Sequence, residues 1–330
     1  MTNFILPDQY ITKIKQSSFL ITGGAGFIGS HIVEYLLNSG AKKVRVLDNL
    51  STSTKDNLAG FEKFEGFEFI EGDIRDLQVC ITACEGINLV SHQAALGSVP
   101  RSIKDPITTN SVNITGFLNM LMAVKENSIA RFVYAASSST YGDSQILPKK
   151  EDIIGKPLSP YAVTKYVNEL YANVFGSNYG IKHIGLRYFN IFGPRQSPDG
   201  AYAAVIPLFL KAIFEGEAPI INGDGENSRD FTYVDNAVYA NILSLCTEKE
   251  SALNQVYNIA CGEQISLNEL WQFLCAEKKL SILPSYGPPR YGDINHSLAD
   301  IQKAKDELGY SVVVKTKMGL KNLLNDNMLK

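Results

Sequence analysis

The stretch FLITGGAGFIGSH, residues 19–31, places three glycines three residues apart, directly after an apolar run. The apolar run predicts a strand and the residues after it predict a helix. A helix N-terminus presents unpaired N–H groups and the positive end of its dipole, so it attracts phosphate. We expect Gly23 to permit the turn, Gly26 to admit a pyrophosphate, and Gly29 to let the helix pack closely on the strand. The motif therefore predicts a dinucleotide site.

A carboxylate at the end of the next predicted strand narrows the choice of dinucleotide. VRVLD, residues 44–48, ends in Asp48, about 20 residues after the glycines, the spacing typical of this type of site. A carboxylate there can accept hydrogen bonds from both ribose hydroxyls of adenosine, and it would repel a 2′-phosphate. The sequence thus favours NAD over NADP as the cofactor.

Strand-like and helix-like segments alternate through the first half of the chain. The predicted strands are residues 19–22, 44–48, 67–73, 88–94, 131–138 and 183–189. The predicted helices lie near residues 27–39, 108–127 and 160–179, and a short amphipathic helix precedes the first strand. This alternation implies right-handed crossovers. It predicts an α/β fold with a Rossmann-type, doubly wound parallel sheet.

The second half of the chain differs from the first in composition and in the length of its loops. Loop-rich stretches with Arg, Asn, Gly and Pro follow residue 190, and VYNIA, residues 256–260, predicts one more strand of the main sheet. We expect an NAD-binding Rossmann domain of residues 1–189 plus about 236–260. The remaining residues, 190–235 plus about 261–330, are expected to form a smaller C-terminal substrate-binding lobe.

Polar and small residues follow the third and fourth predicted strands. Asp73, in EGDIRD, ends the third strand, where its carboxylate could meet the adenine edge. Gln93, Ala94 and Ala95 end the fourth, where the small residues would leave room for the cofactor ribose. Open α/β sheets bind their ligands at the carboxyl ends of the strands. These residues therefore join the predicted cofactor site.

The composition argues against several other classes of protein. A formal net charge of −3 gives no electrostatic case for nucleic acid or an anionic membrane. No apolar run approaches the roughly 20 residues of a membrane span, and the N-terminus lacks the pattern of a signal peptide. The cysteines are odd in number, their spacing fits no zinc site, and the four histidines are scattered. We expect no metal site, reduced thiols and a cytoplasmic location.

A tyrosine and a lysine lie four residues apart in SPYAVTKYVNELY, at the start of a predicted helix. The spacing puts Tyr161 and Lys165 on one helix face. A phenol normally loses its proton near pH 10, but a nearby ammonium group, a helix N-terminus and a cationic nicotinamide would all lower its pKa. Chance pairs at this spacing are common and usually mark a solvated helix face. By itself the pair is only a candidate catalytic base.

The preceding strand strengthens the catalytic interpretation. AASSSTYG carries Ser137, Ser138 and Ser139 where the sheet opens toward the expected nicotinamide. A serine hydroxyl there can bond a substrate hydroxyl and steady its proton. Serine-rich strand ends also simply make turns. Which of the three assists Tyr161 stays open at this point.

Together these motifs resemble the extended short-chain dehydrogenase/reductases that act on nucleotide sugars, the NAD-dependent epimerase/dehydratase family. The resemblance runs from Phe19 to about Leu324 and includes TGGAGFIGSH, LDN, SSSTYG, SPYAVTK, LRYFNIFGPRQ and NGDGENSRDFTYVDN. Within that family the chain is most similar to the UDP-hexose 4-epimerases, especially bacterial ones that accept N-acetylated sugars. A role in surface polysaccharide biosynthesis would follow from this resemblance.

The resemblance implies a mechanism and further cofactor contacts. Tyr161 would take the proton of the sugar 4-hydroxyl while hydride passes from C4 to tightly held NAD. The 4-keto sugar would turn about its pyrophosphate and take the hydride back on its other face. Lys165 would hold the nicotinamide ribose and lower the pKa of Tyr161. Counting back from Tyr141 of the Tyr–Gly pair points to Ser137 as the assisting serine, and Ser138 and Ser139 are close enough to share the task. The family pattern adds six cofactor residues, which are Phe27, Ile28, Asn49, Ser51, Ile74 and Tyr188.

A second set of residues would hold the UDP-sugar. Guanidinium groups pair bidentately with phosphates, which suits Arg229 and Arg290 to the pyrophosphate. The remaining contacts, implied by the resemblance, are Asn190 near the pyrophosphate, Ala204, Val205 and Asn222 near the uracil, Asp293 on a ribose hydroxyl, and Gly97, Ser98, Gln196, Ser138 and Ser297 around the sugar. A small residue at Ser297 would leave space beside C2 for an N-acetyl group. This favours UDP-N-acetylglucosamine and UDP-N-acetylgalactosamine as the interconverted pair.

Alternatives from the same and from other classes remain. The substrate could instead be a plain UDP-glucose or UDP-galactose, or a UDP-uronic acid, and a decarboxylase or an NAD-binding sensor without turnover is also compatible. Dehydratases of this family carry an Asp–Glu pair where Ser138 and Ser139 stand, and serines cannot supply that acid and base. A dehydratase is therefore disfavoured.

The resemblance also predicts a homodimer. The helices near 108–127 and 160–179 carry apolar residues that could pair with their mates across a two-fold axis. The residues expected at this interface are Leu118, Leu121, Val167 and Leu170.

Overall fold

A parallel seven-stranded sheet confirms the predicted Rossmann-type fold. The structure is a computed structural model and describes residues 4–197, 204–289 and 295–325. Its strands are β1 Ser18–Thr22, β2 Lys43–Asp48, β3 Phe67–Glu71, β4 Leu89–His92, β5 Arg131–Ser137, β6 His183–Tyr188, β7 Ile191–Phe192, β8 Ile220–Asn222, β9 Ser228–Arg229, β10 Thr232–Tyr233, β11 Gln255–Ile259, β12 Ile265–Ser266 and β13 Ser285–Gly287. The order in the main sheet is β11-β6-β5-β4-β1-β2-β3. The order reverses between β1 and β4, which is where such sheets bind ligands.

Helices cover both faces of this sheet. They are α1 Asp8–Gln16, α2 Phe27–Asn38, α3 Leu77–Cys84, α4 Val99–Lys104, α5 Pro106–Asn110, α6 Gly116–Glu126, α7 Pro160–Tyr179, α8 Val205–Glu215, α9 Val234–Cys246, α10 Leu267–Lys278, α11 Gln302–Leu308 and α12 Thr316–Asn325. Successive residues of β1 show the two layers, because Phe19 and Ile21 enter one apolar cluster and Leu20 enters the other. Both clusters are buried, as a doubly wound sheet requires.

The second half of the chain adds a lobe of short strand pairs and helices. β7 pairs with β10, β9 with β12, and β8 with β13. Phe209 of α8 and Trp271 of α10 pack edge to face with centroids 5.4 Å apart. Both belong to the apolar cluster that contains Ile21. The predicted limits of the two domains stay a prediction, since this core is continuous.

Several element limits differ from the predicted ones. The long helix expected near 108–127 is a helix α5, a π-helical turn Ser111–Thr115 and the helix α6. β3 ends at Glu71 and β4 ends at His92, so Asp73 and Gln93 follow their strands rather than ending them. The predicted N-terminal helix is present as α1, with Ile14 buried. The strand predicted at 256–260 is β11, which joins the main sheet beside β6.

One residue expected at a dimer interface was wrongly placed. Leu121 is fully buried within the cluster between α3, α6 and the sheet, so it cannot meet a second chain. Leu170 is exposed, and Leu118 and Val167 are partly buried. The five cysteines form no disulfide. In the part of the chain that the structure describes, no helix is long and apolar enough to cross a membrane.

Candidate active site

The glycine-rich turn joins β1 to α2 in a form that excludes side chains. Gly23 has φ +67°, and a Cβ there would lie 2.6 Å from the backbone nitrogen of Ala94. A Cβ at Gly29 would collide with the carbonyl oxygen of Gly23. Gly26 precedes the first residue of α2, and its N–H bonds the Gly23 carbonyl at 3.1 Å. The backbone thus leaves a bare surface at the N-terminus of α2, where a pyrophosphate fits.

Asp48 ends β2 beside this turn. Its Oδ2 accepts the N–H of Ala25 at 3.0 Å, and its Oδ1 accepts the N–H of Leu50 at 2.9 Å. The side chain is buried, yet it lines the adjoining cavity. A carboxylate has about four acceptor positions. Asp48 can therefore hold the turn and still accept hydrogen bonds from a ribose.

A cavity of about 610 Å³ runs along the carboxyl ends of the sheet strands. This size is typical of small-molecule and cofactor sites. Most predicted cofactor residues line it, namely Gly23, Gly26, Phe27, Ile28, Gly29, Asp48, Asn49, Ser51, Ile74, Gln93, Ala94, Ala95, Tyr161, Lys165 and Tyr188. Asp73 is an exception, because Arg75 and Asn49 hold its carboxylate at 2.6 and 2.8 Å. The Arg75 guanidinium lowers the pKa of Asp73 to about 2, so this carboxylate is charged and already paired.

The phenol of Tyr161 meets one of the three serines. The hydroxyl of Ser137, the last residue of β5, is close enough to influence the phenol. The Ser139 hydroxyl donates to Ser137 Oγ at 2.8 Å, and both Ser137 and Ser138 line the cavity. Burial raises the pKa of Tyr161, and the Ser137 side chain opposes that rise. Ser137 is therefore the serine that acts on Tyr161, and the Ser139 hydroxyl bonds Ser137 in turn.

Lys165 lies one helical turn beyond Tyr161. Its Nζ donates to the carbonyl oxygen of Ala135 at 2.9 Å and lies 6.0 Å from the centre of the Tyr161 ring. Burial lowers the pKa of Lys165 to about 8, and the Glu169 carboxylate opposes that shift. At pH 7 the side chain is therefore still mostly an ammonium. Its positive charge favours the deprotonated form of a nearby phenol.

Two features of the sequence fix the helix that carries this pair. Ser159 caps α7, accepting the N–H of Ala162 at 3.1 Å, and Pro160 occupies the first helical position. Further along, Glu169 accepts two bonds from Arg187 of β6, at 2.9 and 2.8 Å, and both side chains are buried. A bidentate pair of this kind holds one geometry. It fixes α7 against the sheet one turn beyond Lys165.

A second cavity, of about 780 Å³, adjoins the first. The two cavities adjoin, because they share the lining residues Asn190, Ile191, Gln196 and Ala204. Of the other predicted substrate residues, Gly97, Ser98 and Ser138 line the first cavity, and Val205, Asn222 and Arg229 line the second. Arg290 and Asp293 lie outside the described residues. The candidate site therefore consists of two adjoining cavities.

Ser297 lies apart from the described walls of both cavities. It is buried, and its N–H donates to the Ser228 carbonyl at 3.0 Å. It does not cap a helix either, since α11 begins only at Gln302, whose N–H bonds the Asp300 carboxylate. Its expected place beside the sugar C2 substituent stays a prediction.

Three polar residues that line the site or support its wall were not identified from the sequence. Arg101 of α4 lines the first cavity, and its guanidinium makes no hydrogen bond or ion pair with any described residue. Asn113, within the π-helical turn, bonds the Leu96 N–H at 2.8 Å and the Thr164 hydroxyl at 3.1 Å. Asn241 of α9 lies beneath Gln93. None belongs to a motif with a known ligand, so only the fold could reveal them.

Comparisons with known proteins agree with this geometry. Residues 19–260 match the model of the NAD dependent epimerase/dehydratase family. The UDP-glucose 4-epimerase of Mycolicibacterium smegmatis is 33% identical over 303 residues, 91% of this chain and 95% of that protein. For two of the similar solved structures, the similarity covers more than nine-tenths of this chain and of the matched chain.

The first is the UDP-N-acetylglucosamine 4-epimerase of Methanobrevibacter ruminantium M1 in complex with UDP-N-acetylmuramic acid. Its TM-score is 0.88 at 39% identity, covering 94% of this chain and 97% of that one. The second is the UDP-glucuronic acid 4-epimerase of Bacillus cereus in complex with UDP-glucuronic acid and NAD. Its TM-score is 0.85 at 33% identity, covering 92% of this chain and 96% of that one.

The residues present fit the cofactor named by the family. A bare glycine turn at a helix N-terminus suits a pyrophosphate, and the carboxylate of Asp48 suits a ribose without a 2′-phosphate. The described residues contain no group of His, Cys, Asp and Glu that could hold a metal ion. The chain is an enzyme of the NAD dependent epimerase/dehydratase family, and its cofactor is NAD.

Proposed function

We propose that this enzyme is a UDP-sugar 4-epimerase, an isomerase, and that it interconverts UDP-N-acetylglucosamine and UDP-N-acetylgalactosamine for surface polysaccharide biosynthesis. One observation carries the proposal. Tyr161 and Ser137 line a dinucleotide cavity, and a second cavity adjoins it at Asn190. An enzyme of this design can hold a nucleotide sugar with its hexose next to both the phenol and the cofactor.

The proposed chemistry of the chain is a proton transfer at Tyr161. Its phenolate oxygen accepts the proton of the sugar 4-hydroxyl and later returns it to the 4-oxygen. Ser137, held by the Ser139 hydroxyl at 2.8 Å, supplies the hydrogen bond that steadies the charge on the phenolate. The ammonium of Lys165 stabilises the same charge. When bound, NAD supplies the acceptor for the C4 hydride and gives the hydride back.

Small residues in the cavity wall and a similar protein support the proposed substrate class. Gly97 and Ser98 form a small-residue part of the wall of the first cavity, and no atom lies within 4 Å of a Cβ placed at Gly97. Open space of this kind suits an N-acetyl group. The relative from Methanobrevibacter ruminantium M1 is named for UDP-N-acetylglucosamine. Both points support the N-acetylated pair.

An assay without added cofactor tests this proposal. Purified protein is incubated with UDP-N-acetylglucosamine, and the C4 epimer is sought by NMR. We expect the epimer to form, with NAD released when the protein is denatured and no accumulation of NADH. Stoichiometric NADH would identify a dehydrogenase instead. Turnover of UDP-glucose alone, with none of the N-acetylated sugar, would contradict the substrate class.

Arg101 favours a second candidate, a UDP-uronic acid as substrate. Its guanidinium lines the first cavity without a described partner, and a cation there could bind a sugar carboxylate. The relative from Bacillus cereus carries such a sugar in its structure. The same assay run with UDP-glucuronic acid and with a UDP-N-acetylhexosaminuronic acid decides between the candidates. Faster turnover of these acids, lost in Arg101→Met while neutral sugars are spared, would establish the second candidate.

A further inference from the structure

A closed set of hydrogen bonds lies between α9 and the carboxyl ends of β4 and β6. Asn241 Oδ1 accepts bonds from the Ser91 hydroxyl at 3.0 Å and from Gln93 Nε2 at 3.1 Å. Gln93 Nε2 also donates to Ser91 Oγ at 2.9 Å. Asn241 Nδ2 donates to the Tyr188 hydroxyl at 2.7 Å, and that hydroxyl donates to Gln93 Oε1 at 3.1 Å. The four side chains therefore form one circuit.

Asn241 sets the direction of every bond in this circuit. Its Nδ2 also donates to the Ala237 carbonyl at 2.8 Å, and a carbonyl can only accept. The amide of Asn241 therefore has one possible orientation. Because the Tyr188 oxygen accepts from that amide, its own proton must point to Gln93 Oε1. This in turn aims the Gln93 amino group at Ser91 and Asn241.

The circuit ends at the wall of the active-site cavity. Gln93 and Tyr188 line the cavity, whereas Asn241 and Ser91 are fully buried beneath them. Tyr188 is also the partner of Ser137 in the β5–β6 register. Tyr188 therefore lies beside Ser137 on the neighbouring strand. Among the hydrogen bonds that Asn241 makes with described residues, those to Tyr188 and Gln93 are the ones that reach the cavity wall.

We propose that Asn241 is a positioning residue for the reaction, which holds the Tyr188 hydroxyl and the Gln93 amide in one arrangement at the cavity wall. The proposal rests on the proposed epimerase activity. Without Asn241, the Ser91 hydroxyl loses its acceptor, Gln93 Nε2 loses one of its two acceptors, and the Tyr188 hydroxyl loses the bond that directs its proton. The wall beside Ser137 then takes several arrangements. Misplacement of reacting groups by about 1 Å can cost a hundredfold in rate, and a partial loss of order costs less.

Asn236 provides a matched control on the same helix. It is also fully buried, and it bonds the N–H groups of Val313 and Val314 at 2.8 and 3.2 Å and the Val314 carbonyl at 2.7 Å. Its substitution breaks a comparable number of hydrogen bonds. The bonds it breaks hold a segment near α12 and do not involve the residues that line the cavity. Asn241→Leu and Asn236→Leu should therefore lower the melting temperature by similar amounts.

The two variants should differ in kinetics. For whichever UDP-sugar the wild type epimerises, we expect Asn241→Leu to lower kcat about tenfold with KM within about twofold, and Asn236→Leu to leave both near wild type. NAD affinity, measured on the same proteins by calorimetry after cofactor removal, should fall only in Asn241→Leu. Equal kinetic losses in the two variants, or wild-type kcat and NAD affinity in Asn241→Leu, would overturn the proposal. The NAD measurement tests the positioning role even if no UDP-sugar is epimerised.

A double substitution tests whether Asn241 acts through Tyr188. Tyr188→Phe keeps the ring and removes the hydroxyl at the centre of the circuit. If both residues serve one arrangement, the double variant should lose no more NAD affinity and kcat than the worse single variant. Independent, multiplying losses would contradict the positioning role. Tyr188→Phe also replaces Asn241→Leu if the latter does not fold, with the same expected loss of NAD affinity.

Discussion

Tyr161 is the residue on which the proposed chemistry depends, and its replacement gives the most direct test. We expect Tyr161→Phe to reduce kcat by at least about a hundredfold, the low end for a lost general base. The phenyl ring keeps the packing of the half-buried side chain and removes only the titrating oxygen. Melting temperature and NAD content should stay near wild type. Near wild-type turnover in this variant would exclude Tyr161 as the base.

Substitutions at Ser137 and Ser139 should slow the reaction to different extents. The Ser137 side chain acts on the phenol of Tyr161 and opposes the rise of its pKa, whereas the Ser139 hydroxyl bonds Ser137. Ser137→Ala should therefore slow the reaction more than Ser139→Ala. The reverse order would mean that Ser139 contacts the substrate in the complex.

His183 should make stability depend on pH in a predictable direction. Burial lowers the pKa of His183 to about 4, and neither ring nitrogen has a hydrogen-bond partner among the described residues. In the unfolded chain His183 has an ordinary pKa near 6.5. Between about pH 6.5 and 4 its ring is therefore protonated in the unfolded chain and neutral in the folded one. Stability contributed by the neutral ring is therefore complete above about pH 6.5 and is lost as the pH falls toward 4.

The comparison of wild type with His183→Leu isolates this group. Between about pH 6.5 and 4, the free energy of unfolding of wild type should fall relative to the variant by about 1.4 kcal/mol per pH unit. Urea unfolding at pH 7.5, 6 and 5 measures the difference. Above pH 7.5 the difference should be constant. A difference independent of pH throughout would show that His183 titrates normally in the folded protein.

Sequence reasoning found the side chains that belong to motifs and missed those defined by packing. Tyr161 and Lys165 were predictable because their spacing alone puts them on one helix face. The spacing from Tyr141 favoured Ser137 among the three serines but could not decide the choice, since that depends on where the strand β5 ends and the chain turns. Asn241 could not be predicted at all, because its role depends on α9 crossing beneath β4 and β6.

At the scale of elements, the turn between β1 and α2 contains glycines needed for cofactor binding and glycines needed for stability. A Cβ at Gly26 would lie 3.1 Å from the Gly23 carbonyl oxygen, a contact that small shifts can relieve, and it would project into the cavity wall. A Cβ at Gly29 would collide with the same carbonyl and also lie 2.8 Å from the Cα of Gly24. The two glycines thus serve different needs.

Alanine substitutions should show this difference. We expect Gly26→Ala to lose NAD, with at least about tenfold weaker binding, and to change the melting temperature little. Gly29→Ala should lower the stability itself, by about 1–3 kcal/mol, as overpacking does. NAD content after purification and chemical denaturation measure the two effects. Equal loss of stability in both variants would contradict the separation.

Strands and helices with strong periodicity were predictable, but their limits and interruptions were not. The apolar run at 256–260 returns to the sheet as expected, since a fully buried strand reads as a continuous apolar run. The helix expected near 108–127 is broken by a π-helical turn at Ser111–Thr115. That turn places Asn113 against Leu96 and Thr164, a long-range contact that no local pattern encodes.

At the scale of the whole molecule, α4, α5 and α7 present exposed apolar side chains. Val163, Leu170 and Val174 of α7 are about half exposed and share one face at helical spacing. Ile107 of α5 is 81% exposed, and Ile103 of α4 is 64% exposed. Monomeric soluble proteins rarely leave such a continuous patch uncovered. We propose that a second copy of the chain covers it about a two-fold axis.

Charge introduced into this patch should separate the two copies. A stable two-fold interface buries more than about 1,000 Å² of largely apolar surface at its centre, and a carboxylate there would be buried twice without a partner. Leu170→Glu combined with Val174→Glu should therefore turn a dimer into a monomer in light scattering at micromolar concentration. Leu283→Glu, which changes an 85% exposed side chain outside the patch, should stay dimeric. Wild type that is monomeric under these conditions would refute the dimer, while loss of the dimer in Leu283→Glu would place the interface elsewhere.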